Sequence, residues 1–358
     1  MRIISALFCL LLVSSWAPAL AQPAGSGGFP PIDGPTRAAI VDSITAVIDS
    51  VYVLEEPAKR IVSGLRKNLD DGAYDEITDP AVFADRLYED AQAINHDGHF
   101  GIRALPPVDP EMVPTDGEED PAEVERRRRI YRTMNYGFRK AEILPGGIGY
   151  VRFDQFAHGS DAFKAAAAAM NFVSNSNAVI IDLRNNGGGS ASMIRFVAGY
   201  FFEENEHLIN WDIRAQKKTV QSYSADFVPG QLITEQPLYI LTSERTFSAA
   251  EEFTFDMKHL ERATIVGSTT GGGGHTVAGY AFDFDGFRMS IRVPYGRAYN
   301  PENNEGWEGV GVTPHIEVPA DQALDAAHAD ALAKLLDAEE DDEFRARLEW
   351  DKLEIDRR

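Results

Sequence analysis

The sequence predicts an α/β protein with a partly parallel, mixed sheet and flanking helices, preceded by a small helical domain. From Tyr136 onward, short apolar runs alternate with segments of helical spacing, a pattern typical of α/β cores. Glycine clusters at 185–190 and 269–275 directly follow two of these runs, as expected of turns at strand ends. Three segments with helical spacing of apolar residues lie before the core.

The chain starts with the features of a secretory signal. Arg2 supplies a positive charge, an apolar stretch runs to Trp16, and small residues stand at Ala19 and Ala21. This pattern predicts a signal peptide at 1–21, cut after Ala21, and a periplasmic or secreted protein. The apolar stretch is short for a membrane span, so we expect no membrane insertion once the signal is removed.

Composition excludes several classes of function. The single cysteine, Cys9, lies in the predicted signal, so we expect no disulfide, thiolate metal site or cysteine nucleophile in the mature chain. The net charge is −22, with 56 acidic and 34 basic residues, and a field of this sign repels nucleic acids and anionic membranes. The basic run RRRR at 126–129 follows an acidic stretch and indicates ion pairs along one helix.

The chain divides into a linker and three parts. Glycine and proline indicate a linker at 22–35, and apolar periodicity predicts helices at about 36–53, 57–70 and 80–95. The expected parts are an N-terminal helical domain at 36–97, a core at 98–320 with an exposed, Pro- and acid-rich loop at 105–121, and a helical tail at 321–358.

The elements of the core follow from apolar runs and helical spacing taken in chain order. The predicted strands are YGFRKAEIL, IGYVRF, AVIIDLR, LYILT and ATIVG. Between them lie predicted helices: one containing AAAAA, one from about Ser190, and one opened by Ser248. A further strand is expected to begin at DGHFGIR, before the loop.

Ser248, in ERTFSAAEEF, allows two interpretations. With Glu251 it spells S-x-x-E, the capping box that starts a helix, and by itself the stretch favours this cap. Alternatively Ser248 is a nucleophile at a helix N-terminus, where the N–H of Ala249 and the helix dipole stabilise an oxyanion. Neither glycine cluster has phosphate-binding spacing, and a glycine turn offers a second oxyanion donor.

A serine nucleophile needs a base. Lys258 lies ten residues along the same helix, about 15 Å away at 1.5 Å rise per residue, and cannot reach Ser248. No other lysine occurs between positions 218 and 334. Histidine remains: His99 stands at a helix-to-strand junction, and His275 ends the second glycine cluster.

Four blocks in order carry a resemblance to a known family: AVIIDLRNNGGGS, LTSERTFSAAEEF, RATIVGSTTGGGGH and EGVGVTPHIEV. Over roughly 80–320 the chain resembles the tail-specific or C-terminal-processing serine peptidases, whose core is crotonase-like. The resemblance implies that Ser248 is the nucleophile and that the N–H groups of Gly188 and Ala249 bind the oxyanion.

Two differences from the family pattern indicate which branch of the family this sequence resembles. The well-known bacterial members use a Ser-Lys dyad, and TTGGGGH contains no lysine. About 40 residues separate DGHFGIR from IGYVRF, too few for a PDZ domain, so none is expected. Both features resemble the branch of the tricorn core protease and interphotoreceptor retinoid-binding protein. That branch implies His99 as base and Glu308 as the residue completing the site; Gly98 stands where tricorn-like enzymes have a serine.

The resemblance therefore implies an exported serine endopeptidase that hydrolyses polypeptides through an acyl-enzyme, with neither metal nor cofactor. An alternative is a non-catalytic carrier of a lipophilic ligand on the same scaffold, because fold does not fix function. A third possibility, a crotonase-like acyl-CoA enzyme, is disfavoured by the predicted secretory signal.

Overall fold

The computed structural model describes residues 28–107 and 121–355. The predicted signal peptide at 1–21, most of the linker and positions 108–120 of the predicted loop lie outside the described residues. Within the part that is described, no helix is both long enough and apolar enough to cross a bilayer.

The N-terminal segment forms the three predicted helices. Asp33 and Asp79 cap the first and third helices by accepting backbone N–H groups, and a proline follows each cap within two residues. The observed bounds agree with the predicted ones to within two residues. The helices are α1 (Gly34–Val51), α2 (Glu55–Asp70) and α3 (Pro80–Ile94).

All five core strands predicted from the sequence lie in one six-stranded sheet, and this confirms the α/β core. The first two strands pair antiparallel and the remaining neighbours pair in parallel. The sheet has the order β11-β8-β7-β4-β3-β2. Its strands are β2 (Phe138–Leu144), β3 (Ile148–Phe153), β4 (Ala178–Asp182), β7 (Leu238–Thr242), β8 (Ala263–Gly267) and β11 (Ile316–Glu317).

Helices cover both faces of this sheet. Because side chains alternate along a strand, Val179 and Ile181 join one buried cluster while Ala178 and Ile180 join another. The first cluster includes residues of α5 (Ser160–Val173), α6 (Ala191–Ala198) and α7 (Ala249–His259); the second includes residues of α8 (Ala323–Ala338) and α9 (Asp342–Ile355). Helix α4 (Pro121–Thr133) precedes β2, and Arg128 in its basic run pairs with Asp161 at 2.7 Å.

A second, antiparallel sheet lies under the N-terminal helices. The long strand β10 pairs with β9 along one edge and with β1 and then β5 along the other, and β6 pairs with β5. Side chains of α1–α3 pack on β1 and β10 in a common core. The strands are β1 (Gly101–Leu105), β5 (His207–Ile213), β6 (Lys218–Tyr223), β9 (His275–Phe284) and β10 (Phe287–Tyr299).

Candidate active site

Ser248 lies at the turn between β7 and α7. Its backbone angles, φ 55° and ψ −121°, fall in a region that residues other than glycine rarely adopt. Strain of this kind costs about 1–3 kcal/mol and is concentrated at functional sites. Ala249 follows as the first residue of α7, where backbone N–H groups have no partner within the helix.

Glu251 ties this serine to the second glycine cluster. One carboxylate oxygen accepts the N–H of Ser248 at 2.8 Å and that of Gly273 at 2.7 Å, and the other accepts Thr270 Oγ1 and the Gly272 N–H, both at 2.6 Å. Burial raises the pKa of Glu251, and the four donors act in the opposite direction. Ser248 is therefore the N-cap residue that the sequence indicates, and the same cap positions a glycine turn beside it.

His99 lies beside the serine turn. Its ring packs on that of Phe247 with 4.7 Å between ring centroids, and its side chain and Ser248 line one cavity. A Cβ on Gly273 would lie 2.7 Å from His99 Cε1, so the imidazole occupies the space that a side chain at 273 would need.

The surroundings of His99 keep its ring neutral. Burial lowers the pKa of His99 to about 4, although the charge of Asp97 acts in the opposite direction. Its Nδ1 is buried and has no hydrogen-bond partner. At neutral pH the imidazole is thus unprotonated, which is the state that a general base requires.

His275 lines the same cavity and has a carboxylate partner. Its Nδ1 lies 2.9 Å from Asp97 Oδ2. The same oxygen accepts a hydrogen bond from the Tyr52 hydroxyl at 3.1 Å, and Asp97 Oδ1 accepts one from the backbone N–H of His99 at 2.9 Å. Burial alone would raise the pKa of Asp97, but the interactions with His275 and His99 together outweigh it and the pKa is lowered. An ionised Asp97 that accepts from Nδ1 leaves Nε2 of His275 as the basic nitrogen.

The structure brings Glu308 to His275. Oε2 of Glu308 accepts the Gly274 N–H at 2.6 Å and lies 3.5 Å from His275 Nδ1. Burial raises the pKa of Glu308 to about 7, and the charge of His275 acts in the opposite direction. Ligand-type atoms of Asp97, His275 and Glu308 all lie within 4.8 Å of one another, a spacing that metal ligands also have. The hydrogen bond between His275 and Asp97 and the 3.5 Å contact between His275 and Glu308 already account for the cluster.

The first glycine cluster approaches Ser248 closely. Gly188 has φ +106°, and a Cβ there would lie 2.8 Å from Ser248 Cβ, so glycine is required. The Gly188 N–H donates to Asn186 Oδ1 at 2.9 Å, whereas the next residue, Gly189, lines the cavity. The predicted turn is therefore beside the serine, and the N–H of Gly188 points to a side chain of its own loop.

Most of the predicted site residues lie around one cavity. It brings together Ser248, Ala249, His99 and His275, while Glu308 contacts His275. Sequence reasoning missed Asp97, although it stands in the same DGH stretch as His99. It also missed the residues that close the cavity: Ala191, Trp211, Glu252, Thr276, Val277 and Trp307.

The candidate nucleophile, both glycine clusters and Glu308 all lie in one segment that known proteins share. Residues 147–318 match the model of peptidase family S41. This S41 match confirms the resemblance to C-terminal-processing serine peptidases.

Proteins similar in sequence to this chain are named as C-terminal-processing proteases. The carboxyl-terminal-processing protease of Synechocystis is 30% identical over 161 residues, covering 44% of this chain and 36% of that protein. The carboxy-terminal-processing protease of Bartonella bacilliformis is 25% identical over 209 residues, 56% of this chain and 45% of that protein. The chain thus spans less than half the length of these relatives.

Solved structures share the fold over most of the chain. A protein from Parabacteroides merdae matches with a TM-score of 0.57 and 18% identity, covering 85% of this chain and 98% of that one. The tricorn protease matches with a TM-score of 0.53 and 14% identity over 84% of this chain and 37% of that one. The photosystem II D1 C-terminal processing protease matches with a TM-score of 0.51 and 17% identity, covering 80% of this chain and 94% of that one.

Proposed function

We propose that the protein is a serine peptidase that hydrolyses peptide bonds of polypeptide substrates with Ser248 as nucleophile. One observation carries this proposal: Ser248, strained at the start of α7, shares one cavity with two imidazoles, within a chain whose residues 147–318 match family S41. The signal predicted at 1–21 supports an exported, periplasmic or secreted enzyme.

The chemistry is acyl transfer in two steps. A neutral imidazole takes the proton of Ser248 as the hydroxyl oxygen attacks the substrate carbonyl carbon. The imidazolium then protonates the leaving amine, the C–N bond breaks, and an acyl-enzyme ester forms. Water, activated by the same imidazole, hydrolyses the ester and restores Ser248.

His99 is the base in this proposal because its ring packs on the serine turn. It packs on Phe247, the residue before Ser248, and against Gly273, whose N–H shares a Glu251 oxygen with the Ser248 N–H. Its lowered pKa keeps the ring unprotonated at neutral pH, the state in which a base begins the reaction.

His275 is the second candidate for the base. The contact of its Nδ1 with Asp97 at 2.9 Å supplies the orienting carboxylate that a Ser-His-Asp site uses, and His99 Nδ1 has no such partner. In the arrangement with His99 as base, Asp97 and Glu308 hold His275 and the Gly274 turn in place at the wall of the cavity.

The oxyanion forms between the start of α7 and the first glycine cluster. The Ala249 N–H supports this role through its place at the helix N-terminus. Gly188 is the second proposed donor, and its N–H must leave Asn186 Oδ1 to serve. The adjoining Gly189, which already lines the cavity, is the other amide of this turn suited to the role.

Labelling and hydrolysis together test the proposal. We expect the protein to cleave an unfolded polypeptide and to react with a fluorophosphonate at Ser248, and Ser248→Ala to lower hydrolysis by at least about 10³-fold. Ser50→Ala, at an exposed serine of α1, serves as the matched control and keeps full activity. Hydrolysis and labelling that persist in Ser248→Ala would show that the nucleophile lies elsewhere.

A further inference from the structure

Two carboxyl groups of α7 have no role in the mechanism above. Glu252 and Asp256 lie four and eight residues after Ser248, and only 4% and 0% of their surfaces are exposed. Oε1 of Glu252 and both carboxyl oxygens of Asp256 are buried with no hydrogen-bond partner. Unpaired buried carboxyl groups destabilise a fold, and burial raises the pKa of both groups. The neighbouring Glu251, in contrast, has four donors.

Glu252 faces the catalytic cavity. Residues one and four positions after Ser248 line the cavity with it, as neighbouring turns on one side of a helix do. Most of the remaining wall is apolar, formed by the side chains of Trp211, Trp307 and Val277. The cavity therefore has apolar walls and a carboxyl group without a partner, and it opens beside the nucleophile.

We propose that this cavity binds the substrate residue on the acyl side of the scissile bond and that it selects a basic side chain, lysine or arginine, whose cation pairs with Glu252. The inference rests on the proposed function and names the substrate class of that site. The carbonyl carbon attacked by Ser248 belongs to the acyl-side residue, so the side chain of that residue is held nearest to the cavity.

The walls suit such a side chain. The methylene stem of lysine or arginine packs on apolar surface while its charged end seeks a polar partner. Trp211 and Trp307 line the cavity, and indole rings attract cations. A cation at the Glu252 carboxyl group offers a charged partner to a group whose Oε1 has none, whereas an uncharged side chain leaves this buried oxygen unpaired, as it is in the free protein.

Peptides that differ at one position test the inference. The acyl-side residue is lysine in one peptide and norleucine, uncharged and with a similar unbranched stem, in the other. We expect the wild-type kcat/KM for lysine to exceed that for norleucine by at least about tenfold and the ratio to fall to about one in Glu252→Gln. Glu244→Gln, at an exposed glutamate of the preceding turn and outside the cavity lining, is the control and keeps the ratio.

Equal kcat/KM values for the two peptides in the wild type would overturn the inference, and so would an unchanged ratio in Glu252→Gln. If Glu252→Gln does not fold, the wild-type ratio alone decides, because a lysine preference at this position is the expected result.

Binding measurements separate this inference from the proposed peptidase activity. Calorimetry with the Ser248→Ala protein needs no catalysis: we expect the lysine peptide to bind at least about tenfold more tightly than the norleucine peptide. If the wild type hydrolyses neither peptide but this binding preference is found, the peptidase proposal fails and the basic-residue pocket stands. Equal binding of the two peptides overturns the pocket.

Discussion

At the scale of single residues, two imidazoles compete for the proton of Ser248. His99 packs on Phe247 of the serine turn but lacks a partner for Nδ1, whereas His275 is oriented by Asp97. Proximity and orientation, the two properties that a base needs, are therefore divided between two side chains. Substituting each in turn separates them.

We expect His99→Ala to lower kcat by about 10³-fold, as loss of a general base does, and His275→Ala to lower it by only about tenfold. The wild-type pH profile gives a second measurement. A base must be unprotonated, so kcat/KM should fall as pH falls through about 4, the pKa of His99.

The control for these variants is His158→Ala, at an exposed histidine outside the cavity. Reversal of the two effects, with His275→Ala the more damaging, would assign the base to His275. An acid limb well above pH 4 would rule out His99 as the base, because burial lowers the pKa of its ring to about 4.

The glycine at 273 makes room for the base. In Gly273→Ala the new Cβ would lie 2.7 Å from His99 Cε1 and 2.4 Å from Phe247 Cζ, so the imidazole must move. We expect kcat/KM to fall by at least about 100-fold, because misplacing a catalytic group by about 1 Å has this effect. Overpacking should also lower the free energy of unfolding by about 1–3 kcal/mol, measured by urea denaturation.

Gly279→Ala is the matched control, because it lies on β9 and a Cβ there meets nothing within 4 Å. Gly273→Ala with wild-type kcat/KM would show that His99 is not required where it stands.

At the scale of elements, α7 and the glycine turn act as one unit through Glu251. Its carboxylate accepts four hydrogen bonds from groups before and after β8. In Glu251→Gln, an NH₂ group replaces one of the two acceptor oxygens. Depending on which oxygen is replaced, this donor faces either two backbone N–H groups or one N–H group and a hydroxyl. We expect the free energy of unfolding to fall by about 2–4 kcal/mol and hydrolysis to be lost with it.

Thermal unfolding and kcat/KM measured on the same preparation check this prediction. Glu244→Gln, at an exposed glutamate of the preceding turn, should change neither quantity. If Glu251→Gln is as stable as the wild type, the carboxylate does not hold the two elements together.

Five of the six strands of the first sheet were predictable from sequence, whereas only β1 of the five-stranded sheet was, for a physical reason. Strands of the first are short apolar runs buried by helices, so local composition marks them. The second sheet is held by pairing between distant segments, such as Gly101 with Arg292, which no local pattern shows. Its β9–β10 hairpin does carry a local signal, the Asp285-Gly286 turn with glycine at φ +77°.

The residues of the candidate site also fall into two groups, those that the sequence indicates and those that only the fold reveals. Ser248 and the glycine clusters stand in short, distinctive stretches directly after strands, and the family resemblance added His99 and Glu308. Asp97 and Glu252 gain meaning only from contacts that the fold creates: Asp97 meets a histidine 178 residues away, and Glu252 is buried without a partner.

At the scale of the whole molecule, the N-terminal helices contribute to the candidate site as well as to the core. Tyr52, which directly follows α1, donates its hydroxyl to Asp97 at 3.1 Å and accepts from Asn95 at 2.8 Å. Its ring lies in the cluster that joins α1–α3 to the second sheet. The helical segment thereby sets the position of the carboxylate that holds His275.

Tyr52→Phe tests this connection, because it removes one hydroxyl and leaves the ring to fill the core. We expect the free energy of unfolding to fall by about 0.5–1.5 kcal/mol, the usual contribution of one hydrogen bond. Loss of a donor from Asp97 should also loosen His275 and lower kcat about three- to tenfold, with KM nearly unchanged. The exposed hydroxyl of Tyr223 supplies the control, since Tyr223→Phe should alter neither quantity. A Tyr52→Phe protein that loses stability while keeping its full kcat would confine the N-terminal helices to a structural role, because the same hydrogen bond would then stabilise the fold without positioning the site.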